Sequence, residues 1–167
     1  MILVSKFSKL LNKKKIIEIL KLKKTFWKYN LNSQIVCFKK NYYDFDINNL
    51  LYLNKKLVGY NILKKRSFFN KKKINKYYYL DTLIIDKNYR NKNYGSILMN
   101  LNNFLIQNNN AHGMLLCKKK SIKFYKKFGW KIGDNVKNKL QDKNTNLVKL
   151  FFNKKRNKGN LSYCIYK

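Results

Sequence analysis

A chain of 167 residues has the length of one compact domain, and its 45% hydrophobic and 16% aromatic residues can form a packed core. This composition excludes a wholly disordered chain, and no apolar run reaches the roughly 20 residues that a membrane-spanning helix needs. We therefore predict a single domain over residues 1–167 that does not insert into a membrane.

The charge of the chain is strongly positive, because 39 Lys and Arg residues face 7 acidic residues, for a formal net charge of +32. A polyanionic partner such as RNA, DNA or a membrane surface is one explanation. Base composition is the other, because Lys and Asn are abundant, Pro is absent, and Arg occurs only as Arg66, Arg90 and Arg156. We take an A/T-rich genome as the larger cause and keep tRNA or another nucleic acid as a second explanation.

The first half of the chain predicts a strand, a helix and a β-hairpin. Residues 2–7 are mostly apolar, but Lys6 interrupts them, whereas a signal peptide carries its positive charge before the apolar stretch. We therefore predict a first strand at residues 2–7 and a cytoplasmic protein. An apolar stripe at helical spacing predicts a helix over residues 10–27. Residues 50–53 and 57–63 are predicted as two strands around a turn at residues 54–56.

The second half alternates between strands and helices. Residues 77–85, YYYLDTLII, form an apolar run that is typical of a buried strand. A helix is expected over residues 96–108, and a second helix over 121–128 ends at Gly129, which stands where a helix C-cap glycine is expected. Further strands are predicted at residues 114–117, 130–132, 147–152 and 161–166. This alternation indicates an α/β or α+β domain.

The sequence predicts no metal site. Cys37, Cys117 and Cys164 are far apart and odd in number, and His112 is the single histidine. No pair of these residues has metal-ligand spacing, so the cysteines are expected to be free, buried thiols in a reducing compartment.

A basic loop with one glycine follows the predicted strand 77–85. It runs from Asp86 to Ser96 and leads into the next helix, and a helix N-terminus attracts anions through its unpaired N–H groups. Gly95 would let a ligand approach the backbone closely, while Arg90 and Lys92 add positive charge. Taken alone, the loop does not decide between a pyrophosphate site and an ordinary strand-to-helix turn.

Residues 90–95, RNKNYG, resemble the acetyl-CoA-binding motif of the GNAT acetyltransferase superfamily, R/Q-x-x-G-x-G/A. Asn93 replaces the first motif glycine, and Asn is the residue other than Gly that best tolerates a left-handed backbone. The resemblance implies a mixed, mostly antiparallel central sheet flanked by helices, with a splayed parallel strand pair that binds CoA. It implies that acetyl-CoA contacts Leu83, Ile85, Arg90, Asn91, Lys92, Asn93, Tyr94, Gly95, Ser96 and Lys118.

Residues 121–130, SIKFYKKFGW, are similar to a second GNAT signature, F-Y-x-x-x-G-F/W. The resemblance implies that Tyr125 is the general acid that protonates the departing CoA thiolate. Taken alone, the aromatic residues of this segment are better explained as core residues of a short helix. The position of the segment about thirty residues after the basic loop favours the functional explanation.

Asp81 lies at the place where many GNAT relatives carry a Glu that takes a proton from the acceptor amine. The resemblance therefore implies a catalytic base, and the short Asp side chain would act through a water molecule. A carboxylate in an apolar strand is costly unless it has a role or a partner, so an Asp paired with a lysine is the equally weighted alternative. Asp44 and Asp46 are further candidates for holding an amino-bearing acceptor.

These features predict an N-acetyltransferase that moves the acetyl group of acetyl-CoA to a primary amine on a small molecule, such as an amino sugar or a polyamine. One alternative is an acceptor amine on aminoacyl-tRNA or on a protein. Another is a catalytically silent, GNAT-like module that binds nucleic acid, for which the departure at Asn93 is the main support. A monomer or a homodimer is expected.

Overall fold

The computed structural model describes residues 1–27, 30–70, 73–133 and 147–153. These ranges contain seven strands and four α-helices. The strands are β1 (Ile2–Phe7), β2 (Ile47–Leu53), β3 (Lys56–Asn70), β4 (Lys73–Ile85), β5 (His112–Lys118), β6 (Lys131–Ile132) and β7 (Leu147–Phe152). The helices are α1 (Lys13–Lys24), α2 (Leu31–Asn41), α3 (Tyr94–Asn108) and α4 (Ile122–Lys126). The strand predicted over residues 161–166 lies outside the described residues.

The strands form one mixed sheet in the order β1-β2-β3-β4-β5-β7-β6. The pairs β1/β2, β2/β3, β5/β7 and β6/β7 are antiparallel, whereas β4 and β5 are parallel. The parallel register runs from Tyr77 opposite His112 to Leu80 opposite Leu115, so residues 81–85 of β4 extend beyond it. This arrangement confirms the predicted α/β (α+β) class with a mostly antiparallel sheet and one parallel pair.

The predicted hairpin is present with a tighter turn and a longer second strand. Asn54 and Lys55 form the turn with φ values of 47° and 64°, and Lys56 already belongs to β3. Two positive φ values are what a two-residue hairpin loop requires.

The predicted helix over residues 10–27 is shorter in the structure, because Asn12 caps α1. The side-chain oxygen of Asn12 accepts a hydrogen bond from the Lys15 N–H at 2.9 Å, so residues 8–10 form a separate 3-10 turn. Helix α2 was not predicted from the sequence. Its signals are Asn30, which caps it by accepting the Ser33 N–H at 2.7 Å, and an apolar face that includes the buried Phe38.

The chain forms two compact units, one of residues 1–64 and 81–99 and the other of residues 65–80 and the described residues from 100 onward. In the first unit, α1 and α2 pack on strands through one apolar core. Its fully buried members include Ile19, Leu20, Leu50, Tyr60, Ile62 and Ile84. The expectation of a single domain over residues 1–167 stays a prediction.

The core of the second unit is built around Trp130. Its indole N–H donates to the side-chain oxygen of Asn103 at 2.9 Å, and its ring stacks on Phe152 with the centroids 5.5 Å apart. A Cβ atom on Gly113 would lie 2.8 Å from the Trp130 ring and 2.9 Å from Ile106. Glycine is therefore required at position 113 for the indole to reach the sheet.

Of the two cysteines in the described ranges, Cys117 is free and buried as predicted, whereas Cys37 is free and exposed, so the expectation of burial was wrong for Cys37. Cys164 lies outside those ranges. Within them, no group of three or more His, Cys, Asp or Glu side chains could hold a metal ion. None of the helices in the same ranges has the length and apolarity needed to cross a bilayer.

Candidate active site

The basic loop begins at Asp86, which three contacts hold in place. Its N–H donates to the Val58 carbonyl at 2.8 Å, and its carboxylate accepts the Asn88 N–H at 3.0 Å. The Lys56 ammonium group lies 3.0 Å from the same carboxylate. Burial raises the pKa of Asp86, but the Asn88 N–H and the Lys56 charge outweigh burial and keep the pKa below its usual value. The start of the loop is therefore tied to the start of β3.

The loop then turns through two left-handed asparagines. Asn91 has a φ of 60° and Asn93 a φ of 61°. Asn93 therefore has the left-handed backbone that a glycine would adopt at this place in the motif. Asn tolerates this conformation better than other residues with a side chain. The Asn93 carbonyl accepts the Ile97 N–H at 3.1 Å, so α3 starts directly after it.

The first turn of α3 supplies backbone donors for an anion. Tyr94, Gly95 and Ser96 are half-buried, and their N–H groups belong to the helix end that lacks intrahelical acceptors. Lys92 is exposed immediately before them. This arrangement favours a phosphate group at the start of α3.

Arg90 is exposed, and two contacts within the first unit hold its side chain. Its Nε–H donates to the Ile85 carbonyl at 3.3 Å, and its guanidinium carbon lies 4.6 Å from the centroid of the Phe26 ring. These two contacts hold the guanidinium group beside the loop.

The end of β4 places backbone next to the loop. Leu83 and Ile85 are half-buried and pack against the cluster of Leu51, Val58 and Leu98. Both residues belong to the segment that extends beyond the register with β5. Backbone N–H and C=O groups on such a segment can pair with an extended ligand, as an added strand would.

Asp81 forms an ion pair with Lys64, whose Nζ lies 2.8 Å from Oδ2 of Asp81. The Lys64 side chain is 11% exposed and the Asp81 side chain 29%, so the lysine is the buried partner. Asp81 is therefore partly exposed, and the pairing with a lysine that the sequence offered as an alternative is present. Its role as a base stays a prediction.

A cavity of about 420 Å³ opens beside Asp81 in the first unit. Residues of α1, α2 and β4 form its walls together with Trp27. The lining residues are Lys23, Trp27, Ser33, Gln34, Cys37, Asp81 and Thr82. The volume lies within the range of about 300–1,000 Å³ that is usual for small-molecule sites.

Asp44 and Asp46 do not contribute to this cavity. Asp46 is fully buried, and its carboxylate accepts the Tyr43 N–H at 3.0 Å. The hypothesis that Asp46 holds an acceptor was therefore wrong, because the carboxylate fixes the chain before β2. Asp44 is exposed and is not among the lining residues.

Tyr125 lies on α4 in the second unit, and the end of that helix is tightly closed. The Trp130 N–H donates to the Tyr125 carbonyl at 3.3 Å and the Gly129 N–H to the Lys126 carbonyl at 3.0 Å, while Gly129 has a φ of 78°. This is a Schellman motif, and it confirms the predicted C-cap glycine. The Phe124 ring contacts the Tyr125 ring edge-to-face, with the centroids 5.1 Å apart.

The environment of Tyr125 keeps its hydroxyl protonated. Burial, together with the nearby Cys117 thiol, raises the pKa of Tyr125 to about 12. The phenol therefore carries its proton throughout the neutral range and can donate it. Lys118, at the end of β5, is exposed.

Three residues that contribute to this site were not predicted from the sequence: Lys23, Phe26 and Lys64. Lysines and aromatic residues are abundant in this chain, so the sequence does not distinguish these three from the others. Only the tertiary structure shows that Lys23 lines the cavity, that Phe26 contacts Arg90 and that Lys64 contacts Asp81.

Several solved structures share this fold. The Bacillus subtilis N-acetyltransferase YlbP in complex with coenzyme A is 20% identical, with 90% of this chain and 96% of that chain covered and a TM-score of 0.60. An acyl-CoA N-acyltransferase from Pseudomonas aeruginosa is 11% identical, with 90% and 99% covered and a TM-score of 0.67. Arabidopsis thaliana Naa50, bound to a bisubstrate analogue, is 20% identical, with 90% and 97% covered and a TM-score of 0.60.

At the sequence level, a comparison with curated proteins gives no match. The family model described as "Acetyltransferase (GNAT) family" matches residues 18–130, a range that includes the basic loop, Asp81 and Tyr125. The chain therefore belongs to the acetyltransferase (GNAT) family, and it is an N-acetyltransferase with acetyl-CoA as its co-substrate.

Proposed function

We propose that this enzyme transfers the acetyl group of acetyl-CoA to a primary amine on a small molecule. The observation that carries the proposal is the cavity beside Asp81, which has the size of a small-molecule site and contains a carboxylate at its wall. A carboxylate in such a place can accept hydrogen bonds from an amine or from a water that relays its proton.

The proposed chemistry assigns one step to each candidate residue. The amine nitrogen attacks the thioester carbonyl, the carbon–sulfur bond breaks, and the CoA thiolate leaves. The Tyr125 hydroxyl gives its proton to the thiolate and is reprotonated from solvent, and Asp81 takes the amine proton through water. The assignment of Tyr125 as the acid rests on its position in the F-Y-x-x-x-G-F/W signature, and the phenol carries a proton at neutral pH.

The co-substrate is proposed to bind on the loop and the start of α3. The pyrophosphate would accept hydrogen bonds from the N–H groups of Tyr94, Gly95 and Ser96, with Lys92 and Arg90 adding positive charge. The proposed contacts of the pantetheine arm are the backbone groups of Leu83 and Ile85. Asn91 and Asn93 shape the loop through their left-handed backbone. Lys118 stays a predicted contact.

A binding measurement followed by a turnover assay tests the proposal. We expect calorimetry to show saturable binding of acetyl-CoA, and weaker binding of ATP as a control for attraction of anions to a basic protein. CoA release should then depend on an added primary amine. Asp81→Asn should lower kcat, whereas Asp44→Asn, an exposed control, should not. Acetyl-CoA binding no tighter than that of ATP would contradict the proposal.

Nucleic-acid binding is a second candidate function, because residues 118–127 carry a dense group of exposed lysines. Its members are Lys118, Lys119, Lys120, Lys123, Lys126 and Lys127. Binding of RNA through these residues should weaken steeply as salt is raised, and replacing Lys119, Lys120 and Lys123 by Gln should flatten that dependence. RNA binding that salt and these substitutions leave unchanged would remove this candidate.

A further inference from the structure

The cavity beside Asp81 has one lysine and one carboxylate in its lining, and a second lysine outside the lining is bound to that carboxylate. Its lining includes the Asp81 carboxylate and the Lys23 side chain. The Lys64 ammonium group is already bound to Asp81 at 2.8 Å. Among the charged groups that the described residues place here, two ammonium groups therefore stand against one carboxylate. Since Lys64 balances the charge of Asp81, the charge of Lys23 is left for a ligand.

Lys23 is held in a defined position at the cavity wall. Its Nζ donates to the Tyr42 hydroxyl at 3.0 Å and lies 5.7 Å from the centroid of the Trp27 ring. The Tyr42 ring centroid is 5.5 Å from the same atom. An ammonium group has three N–H donors, so an anion in the cavity can accept a further hydrogen bond from it. The aromatic contacts restrict the side chain before any ligand arrives, which lowers the entropic cost of binding.

We propose that the acceptor carries an anionic group, a carboxylate or a phosphate, beside its primary amine. The anion binds Lys23, and the amine is directed to Asp81. This inference rests on the function proposed above and narrows its substrate class to amino acids and similar small amines. Polyamines, one of the examples predicted from the sequence, are poor acceptors in this arrangement, because a further ammonium group in the cavity is repelled by Lys23.

Matched pairs of amines test the charge preference directly. Phenylalanine and phenethylamine share the amine and the ring and differ by one carboxylate, and O-phosphoethanolamine and ethanolamine differ by one phosphate. We expect kcat/KM to be at least about tenfold higher for the anionic member of at least one pair, which is the size expected for one charge-assisted hydrogen bond. Whichever pair shows the preference identifies the anion. Equal or lower kcat/KM for both anionic members would overturn the inference.

Substitutions at Lys23 separate this effect from a general change in the protein. Lys23→Met should raise KM for the preferred anionic amine about tenfold and leave KM for its neutral partner unchanged. Lys23→Arg should retain most of the preference. Lys24→Met is the matched control, because Lys24 is exposed on the same helix and does not line the cavity. An equal effect of Lys23→Met on both amines would contradict the assignment of Lys23.

Calorimetry without acetyl-CoA distinguishes failure of the inference from failure of the proposed function. If no amine is acetylated, but the anionic amine binds more tightly and Lys23→Met removes the difference, the proposed function is wrong and the charge preference stands. If both members of each pair are acetylated equally well, the proposed function stands and the charge preference is wrong. If neither member of either pair binds or reacts, both are overturned.

Discussion

The guanidinium carbon of Arg90 lies 4.6 Å from the centroid of the Phe26 ring, so the basic loop and the end of α1 are joined by a cation–π contact. The Phe26 ring in turn lies 6.0 Å from the ring of Trp27, which lines the cavity beside Asp81. Within the first unit, a chain of three side chains therefore connects the proposed phosphate site to the proposed acceptor cavity. A change at Phe26 is expected to affect the binding of acetyl-CoA.

Phe26→Leu should raise KM for acetyl-CoA about two- to fivefold, because an exposed cation–π contact contributes about 0.5–1 kcal/mol. Steady-state kinetics at saturating acceptor measures this change. Phe104→Leu is the control, because Phe104 is an exposed aromatic residue on α3 that is 60% accessible. If both variants change KM to the same extent, the Arg90–Phe26 contact does not position the loop.

Gly95→Val should abolish the binding of acetyl-CoA while leaving the protein folded. A valine side chain in the first turn of α3 would occupy the space through which phosphate oxygens approach the backbone N–H groups. Calorimetric titration measures the loss, and circular dichroism checks the fold. Gln107→Val places the same side chain at an exposed position near the other end of α3 and should bind normally. Normal binding by Gly95→Val would exclude the proposed phosphate site.

Tyr125→Phe should lower kcat roughly 10²-fold and leave the affinity for acetyl-CoA nearly unchanged, because only the proton donor is removed. Pre-steady-state and steady-state assays with a reactive amine measure the two quantities separately. Tyr43→Phe, which removes an exposed hydroxyl, should have no effect on kcat. Unchanged turnover in Tyr125→Phe would remove Tyr125 from the mechanism.

The stability of the protein should fall at alkaline pH partly because of Tyr125. Its pKa is raised to about 12 in the folded chain, against about 10 in an unfolded chain. The contribution of its half-buried phenol is therefore complete below pH 10 and is lost as the pH rises toward 12, at a cost of about 1 kcal/mol by pH 11. Urea unfolding at pH 8 and pH 11 should show a smaller loss in Tyr125→Phe than in Tyr43→Phe. Equal losses in the two variants would contradict the raised pKa.

The sequence by itself determined the family and, apart from α2, the order of the helices and strands that the structure describes. The apolar run of residues 77–85, the glycine-containing loop after it and the FYKKFGW segment are local patterns, and local patterns can be read without a fold. The left-handed backbone at Asn93 and the C-cap at Gly129 were also predictable, because each depends on the conformational preference of one residue. The bounds of α1 depended on the Asn12 cap, which is a weaker signal in an asparagine-rich chain.

Only the tertiary structure decided which charged side chains meet. Lys64 and Asp81 are 17 positions apart, and one of 39 basic residues had to be selected as the partner of Asp81. The choice follows from the packing of β3 beside β4, and the same packing buries the lysine rather than the acid. The position of Lys23 at the cavity follows from the packing of α1 and α2, the second of which was missed. Long-range contacts of this kind depend on how the whole core packs, so they cannot be predicted from the periodicity or the composition of the sequence.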